Sequence, residues 1–317
     1  MSKKGIFTIL KFTFAILLLI WLAQKGKLDF SLFSYWANNP IQLFMIYLLA
    51  LFNFLLVSFR YKLLLEFRSK FKLKWSKIIK SNWIGTFFNA VLPGSVSGDL
   101  IKIFYVHDDY PTLSKSFLLA SSFLDRIIGL MALILQLSFV SLLFSDKLPQ
   151  NKTIINIINI NHLLSLMFIV GYFLLVIVGK KFITFFDSFS LLKKPTQLLS
   201  FIYEIRTKIL ILISISFVIQ FIGSFIFYSL IQPFELTIGL AESLTIIPIG
   251  FVSVAIPLAP SGLGVGHMAF EQLFNFYNIS GGANFFSLYF VVTLTVNLIG
   301  VIPYIIHKKV SIKNEDL

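Results

Sequence analysis

The sequence predicts an all-α integral membrane protein, a single polytopic domain over residues 1–317 with six transmembrane helices plus two oppositely oriented re-entrant broken-helix hairpins. Three observations predict it. The 317 residues are 57% hydrophobic and 13% charged, against about 45–50% and about 25% in soluble proteins. That leaves too little polar side chain to coat a water-facing surface, and mean hydropathy is +0.88. Six apolar stretches reach the length of roughly 17–25 residues that a helix needs to cross hydrocarbon. Finally, 27 Lys and Arg against 14 Asp and Glu fall between the apolar runs, as in positive-inside loops, rather than on one basic face suited to nucleic acid. With no cysteine, disulfides, thiolate metal sites and redox thiols are excluded.

The elements follow in order. Residues 5–23 come after Lys3 and Lys4; Lys11 interrupts the run and no small-x-small cleavage site precedes Gln24, so the stretch reads as a retained signal-anchor helix. Residues 41–59 form an uncharged span. Residues 60–80 mix eight basic residues with Leu, Phe and Trp75; an amphipathic helix on the anionic inner leaflet and a plain topogenic loop explain them equally well. In 81–106, Pro93, Gly94, Ser95, Ser97 and Gly98 interrupt the helix, and Asp99 is placed to N-cap a second short helix through Val106. Spans follow at 115–144 and 162–179. Residues 180–206 are again basic and amphipathic, broken by Pro195, and 208–231 is a span uncharged from Ile209 to Ile231. In 238–280, Pro248, Pro257 and Pro260 weaken one helix, Ser261, Gly262, Gly264 and Gly266 form a loop, and a new helix starts near His267 and runs past Glu271. The last span is 283–306.

Orientation follows from charge. With a cytoplasmic N-terminus and six crossings, 21 of the 27 basic residues lie on that side and four on the other, with Lys11 and Arg126 inside spans. Both termini are then cytoplasmic. Segment 81–106 must enter from and return to the inside, and segment 238–280 the outside. Opposed broken helices near the midplane are the arrangement of a transporter site, and their positive N-terminal ends suit an anion, phosphate above all.

Asp99, Asp125, Arg126, Glu242 and Glu271 lie in or beside these segments, where insertion scales give a cost of about 2.5–3.5 kcal/mol for an Asp or Arg at mid-helix. They are expected to face a polar cavity or pair with one another. Asp125 and Arg126, adjacent on a helix, point in different directions. Arg126 reaches an acid on another segment or a phosphate, the alternative being a structural pair with Asp99 or Glu242. Asp99 is either a cap or a functional group, and Glu242 and Glu271 are candidates for carrying protons. His107, His162 and His307 fall at expected segment ends and meet water, which leaves His267 as the histidine of interest. No HExxH, GxSxG, P-loop or nucleophile–base pattern is present, so the expectation is a transporter rather than an enzyme, with no metal or cofactor.

Asn89, Leu92-Pro93-Gly94 and Gly98-Asp99 resemble the N-x-x-L-P-G-x-x-G-G-D-x-x-R signature of the flippase-like transmembrane domain of lysylphosphatidylglycerol synthases. Asp125-Arg126 with Gly129-Leu130 is similar to that family's D-R-x-x-G-L, and Pro260-Ser261-Gly262-Leu263-Gly264-Val265 to its P-G-G-L-G-V loop. The motifs occur in family order over nearly the whole chain. Ser97 stands where the first Gly of a pair is usual, Lys102 where Arg is usual, Ser261 for a Gly, and Gly266-His267 where Arg-Glu often follows. A Lys keeps the charge but loses the two-pronged fork, so the headgroup recognised can differ. The resemblance implies a prokaryotic cytoplasmic membrane protein that translocates a phospholipid or lipid-linked glycan without synthesising it, the aminoacyltransferase domain being absent. Anionic or phosphate-bearing membrane lipids are the implied partners, with a homodimer or a glycosyltransferase partner left open. The candidate substrate-binding residues, from the charge reading and the resemblance together, are Asn89, Pro93, Gly94, Gly98, Asp99, Lys102, Asp125, Arg126, Glu242, Pro260, Gly262, Gly264, His267 and Glu271. The alternatives are a membrane accessory subunit or enzyme of lipid modification, and a small-solute transporter.

Overall fold

Hydrocarbon offers the backbone no hydrogen-bond partner, so each apolar run must close its bonds within one helix. The computed structural model describes residues 30–69, 71–92, 97–148, 151–187, 193–255 and 264–306. All regular elements among them are helices: α1 Phe30–Asn38, α2 Pro40–Ser69, α3 Trp75–Val91, α4 Ser97–Asp109, α5 Lys115–Leu143, α6 Lys152–Asp187, α7 Lys193–Glu204, α8 Arg206–Ile231, α9 Leu240–Ala255, α10 Val265–Asn275, α11 Gly282–Leu298 and α12 Val301–Ile306. Five stretches are long and apolar enough to cross a membrane: Pro40–Ser69, Lys115–Leu143, Lys152–Phe185, Arg206–Phe234 and Gly282–Ile306. They coincide with the last five expected spans; the first, 5–23, lies outside the described residues. Large apolar side chains on the outer faces of α2, α5 and α6, such as Phe44, Leu142 and Ile177, are exposed and face lipid.

Several helices outrun their expected bounds, for physical reasons. Residues 60–69 are not a surface helix but the continuation of α2, which is 30 residues long. Tyr61, Leu64 and Leu65 are fully buried, and apolar spacing of three and four reads alike for a membrane-surface face and a core face. Helix α6 runs for 36 residues rather than 162–179. Its asparagines lower the hydropathy, yet Asn161 Nδ2 donates to Ile134 O at 3.0 Å and to Ser138 Oγ at 2.8 Å, inside the bundle. His162 therefore lies within α6, its Nδ1 3.1 Å from Ser138 Oγ, rather than at a water-facing end. Helix α5 starts where expected, Ser114 accepting from Phe117 N–H as N-cap.

The two interrupted segments fold as antiparallel helix pairs. Helices α3 and α4 have 17 and 13 residues, about 25 and 20 Å at about 1.5 Å per residue, short of a hydrocarbon core of about 30 Å. The pair begins and ends at one place. Lys77 and Lys80 reach Asp109 at 3.1 and 3.0 Å, and Lys74 N donates to Tyr110 Oη at 2.7 Å. Helices α9 and α10, of 16 and 11 residues, form the second pair, with the Phe270 ring seated over Gly250. Its base sits at the start of α11, where Glu271 Oε2 accepts from Ala283 N at 2.9 Å. The far end of α11 reaches the first pair, Trp83 Nε1 donating to Val296 O at 2.9 Å. The two bases thus lie at opposite ends of the bundle. A column of rings, Phe227, Phe270 and Phe286, stacked at 4.6 and 5.2 Å, ties the second pair to α8 and α11.

Asp99 is not the N-cap of α4. That helix begins at Ser97, and Asn89 Oδ1, on the neighbouring helix, takes the Gly98 N–H at 2.8 Å, which leaves the Asp99 carboxylate free to turn toward cations. Backbone contact makes this possible, because a Cβ on Gly98 would lie 1.9 Å from Gly85 O and 2.6 Å from Asn89 N. Backbone cannot yield as a flexible side chain does. Gly98→Ala is expected to cost about 3 kcal/mol, read as a lowered melting temperature in detergent; an unchanged melt would mean that the two helices are not in contact here.

Candidate functional site

A cavity of about 420 Å³ lies where the tips of the two helix pairs approach each other. Asn89 and Ala90 at the end of α3, and Val254 and Ala255 at the end of α9, border it. The long helices contribute Asn53 of α2, Arg126 of α5, Gln220 of α8 and the α11 residues Tyr289, Thr293 and Asn297. Asn53, Arg126 and Gln220 each sit near the middle of a long helix, which places the cavity at mid-depth.

Beside the cavity Asp99 gathers three groups. Arg126 Nε donates to Oδ2, Lys102 Nζ lies 3.6 Å from Oδ1, and Asn89 Nδ2 approaches Oδ1 at 3.5 Å. The Lys102 ammonium is also held over the Tyr61 ring, 3.9 Å from its centroid, a cation–π contact that strengthens on desolvation. Arg60, adjacent in sequence to Tyr61, grips Asp125, adjacent to Arg126, with both prongs, Nε to Oδ1 at 2.9 Å and Nη2 to Oδ2 at 3.0 Å, and Nη1 donates to Ser216 Oγ at 2.8 Å. Arg60 and Asp125 side chains are 7% and 9% exposed. Arg126, at 37%, opens toward the cavity. Three cations against two carboxylates, Asp99 and Asp125, leave one surplus positive charge in a region of low dielectric, where it acts strongly on an anion.

The remaining candidates lie elsewhere. Pro93, Gly94, Pro260 and Gly262 are outside the described residues. Gly264 precedes α10 at φ 83°, a conformation that favours glycine. His267 is buried: its Nδ1 accepts from Gly264 N at 3.4 Å and its Nε2 sits 3.1 Å from Ser287 Oγ. This arrangement suits the tautomer with the proton on Nε2. Glu242 and Glu271 do not line the cavity. Glu242 Oε2 accepts from Gly239 N at 3.0 Å and Glu271 Oε2 from Ala283 N, so each carboxylate holds an orphan donor at a helix start. Among the described residues no cluster of three metal-ligating side chains occurs.

Sequence reasoning passed over Arg60, Asn53, Gln220 and the α11 trio. A signal for the trio was present, because Tyr289, Thr293 and Asn297 recur every four residues and so share one helix face. Asn53 Oδ1 is buried without a hydrogen-bond partner among the described residues.

No curated protein and no solved structure matches the chain. The family model described as lysylphosphatidylglycerol synthase TM region matches residues 8–302, a range that takes in both helix pairs, four of the five long apolar stretches with most of the fifth, and every described residue lining the cavity. The chain is an integral membrane protein and belongs to the lysylphosphatidylglycerol synthase TM-region family.

Proposed function

We propose that this protein translocates a phosphate-bearing lipid headgroup between leaflets, the headgroup passing through the central cavity while the acyl chains stay in lipid. One observation carries the reading: two helix pairs with bases at opposite ends bring their tips to a mid-depth cavity whose wall presents Arg126 from a cluster with one surplus positive charge. A bare phosphate in hydrocarbon has no partner, and a fixed guanidinium replaces part of its water. Helices α4 and α10 also begin at these tips, and their N-terminal dipole ends favour an anion. The family is a membrane domain associated with lipid modification or translocation, which supports the same reading. On it the chain is a translocator and not an enzyme.

The direct test reconstitutes the full chain into vesicles containing fluorescent phosphatidylglycerol and adds a membrane-impermeant quencher. Label in the inner leaflet is expected to become accessible, and inner-leaflet protection equal to that of protein-free vesicles would defeat the proposal. The proposed orientation has both termini and the α2–α3 and α4–α5 connections in the cytoplasm of a prokaryotic cell. The chain has no cysteine, so single introduced cysteines report sidedness directly. Lys74→Cys and Thr112→Cys are expected to label from the cytoplasmic side, and Lys147→Cys and Ser280→Cys from the other. Labelling of Lys74→Cys and Thr112→Cys from opposite sides would mean that the first pair does not return to the face it left.

A further inference from the structure

The chemistry of the cavity wall narrows the substrate class. Apart from Arg126, its polar side chains are uncharged: Asn53, Asn89, Gln220, Tyr289, Thr293 and Asn297. No carboxylate lines it among the described residues. We infer that the cavity takes a phosphate whose further substituent is uncharged and hydroxyl-bearing, a polyol or sugar ester, in preference to an ammonium-bearing headgroup; this rests on the translocator reading for its route and on the cavity for its selectivity.

Several groups on the wall suit hydroxyls. Gln220 Nε2 is spent on Gly129 O at 3.0 Å, leaving its oxygen as an acceptor. Thr293 Oγ1 donates to Tyr289 O at 3.0 Å and likewise keeps its lone pairs. Asn53 Oδ1 has no partner among the described residues, and a turn of its amide presents that oxygen to a donor in the cavity. A hydroxyl can both donate to these acceptors and accept from the amide N–H of Asn297, whereas an ammonium can donate but cannot accept. An ammonium would meet the Arg126 guanidinium, whose carboxylate Asp99 is already shared with Lys102 and Asn89. Aromatic faces can hold cations in place of acids, but the Phe251, Tyr289 and Phe286 rings on this wall each pack against a neighbouring ring. Phe251 lies 4.9 Å from Tyr289, and Phe286 is stacked on Phe270 at 5.2 Å. The volume of about 420 Å³ sits at the lower end of the range of about 300–1,000 Å³ for small-ligand sites, fitting one headgroup rather than an oligosaccharide.

The test separates selectivity from transport. Detergent-solubilised full-length protein is titrated with short-chain phosphatidylglycerol and short-chain phosphatidylethanolamine, which differ in glycerol against ethanolamine. Fluorescent forms of both are followed in vesicles, and uptake of free glycerol phosphate is measured in parallel. Phosphatidylglycerol is expected to bind about tenfold tighter, the equivalent of about 1.4 kcal/mol, and Asn297→Leu to bring the ratio toward one. That preference with lipid movement supports both readings. The same preference without movement keeps the selectivity and defeats translocation. Equal or tighter binding of phosphatidylethanolamine overturns the selectivity whether or not lipids move, as does binding of neither. Uptake of glycerol phosphate without lipid movement assigns the selective site to a free solute instead of a lipid.

Discussion

Arg60→Ala is expected to be the most destabilising single change, lowering stability by about 3–5 kcal/mol, because it strands Asp125 as a buried unpaired charge. Both side chains are more than nine-tenths covered, and Arg60 is the shared partner of α5 and α8 through Asp125 and Ser216. The measurement is a melting curve in detergent alongside the yield of monodisperse protein. Asp125→Ala should behave similarly by stranding the arginine. The double replacement Arg60→Leu with Asp125→Leu should recover much of the loss, since two apolar groups need neither partner nor water. Single variants as stable as the parent would show that the pair is solvated.

Arg126→Gln is expected to leave a folded protein and slow translocation by roughly ten- to a hundredfold. A hydrogen bond to a charged group contributes about 1.5–3 kcal/mol, and each 1.36 kcal/mol is about tenfold in rate. The fold should survive because the Arg126 side chain is 37% exposed and Asp99 retains Lys102 as a counter-charge at 3.6 Å. Arg126→Lys should retain part of the rate, keeping charge but losing the planar fork. A well-folded Arg126→Gln variant moving lipid at the parental rate would remove the arginine from the route.

The fold was legible because its signals are large. Runs such as 115–144 have one physical solution in lipid, and α5 begins and ends within a residue of that range. Proline and glycine marked both interruptions, because they remove hydrogen bonds that hydrocarbon cannot replace. The cavity was only half legible. The charged pair Asp125-Arg126 stands out in an apolar helix, and its divergence follows from adjacency: Asp125 faces Arg60, while Arg126 faces Asp99 and the cavity. Arg60 was hidden because it opens a basic stretch and counts as loop charge, whereas α2 continues past it. Asn53 and Gln220 were hidden because one amide hardly lowers the mean hydropathy of a long span. Asp99 looked like a cap because the residue that captures the Gly98 N–H, Asn89, belongs to the preceding helix, a contact across the turn that local reading does not reveal.

The Arg60–Asp125 pair joins residues 65 positions apart, and this has a bearing on how the protein is made. At about 5–20 residues per second, Arg60 emerges from the ribosome about 3–13 s before its acid. In that interval its long stem must carry the guanidinium to the headgroup layer. Asp99 waits too, since Arg126 follows it by 27 residues on the same helix as Asp125. Both charges are therefore settled by the arrival of α5, so the first helix pair completes its assembly only after a later helix has been delivered to the bilayer.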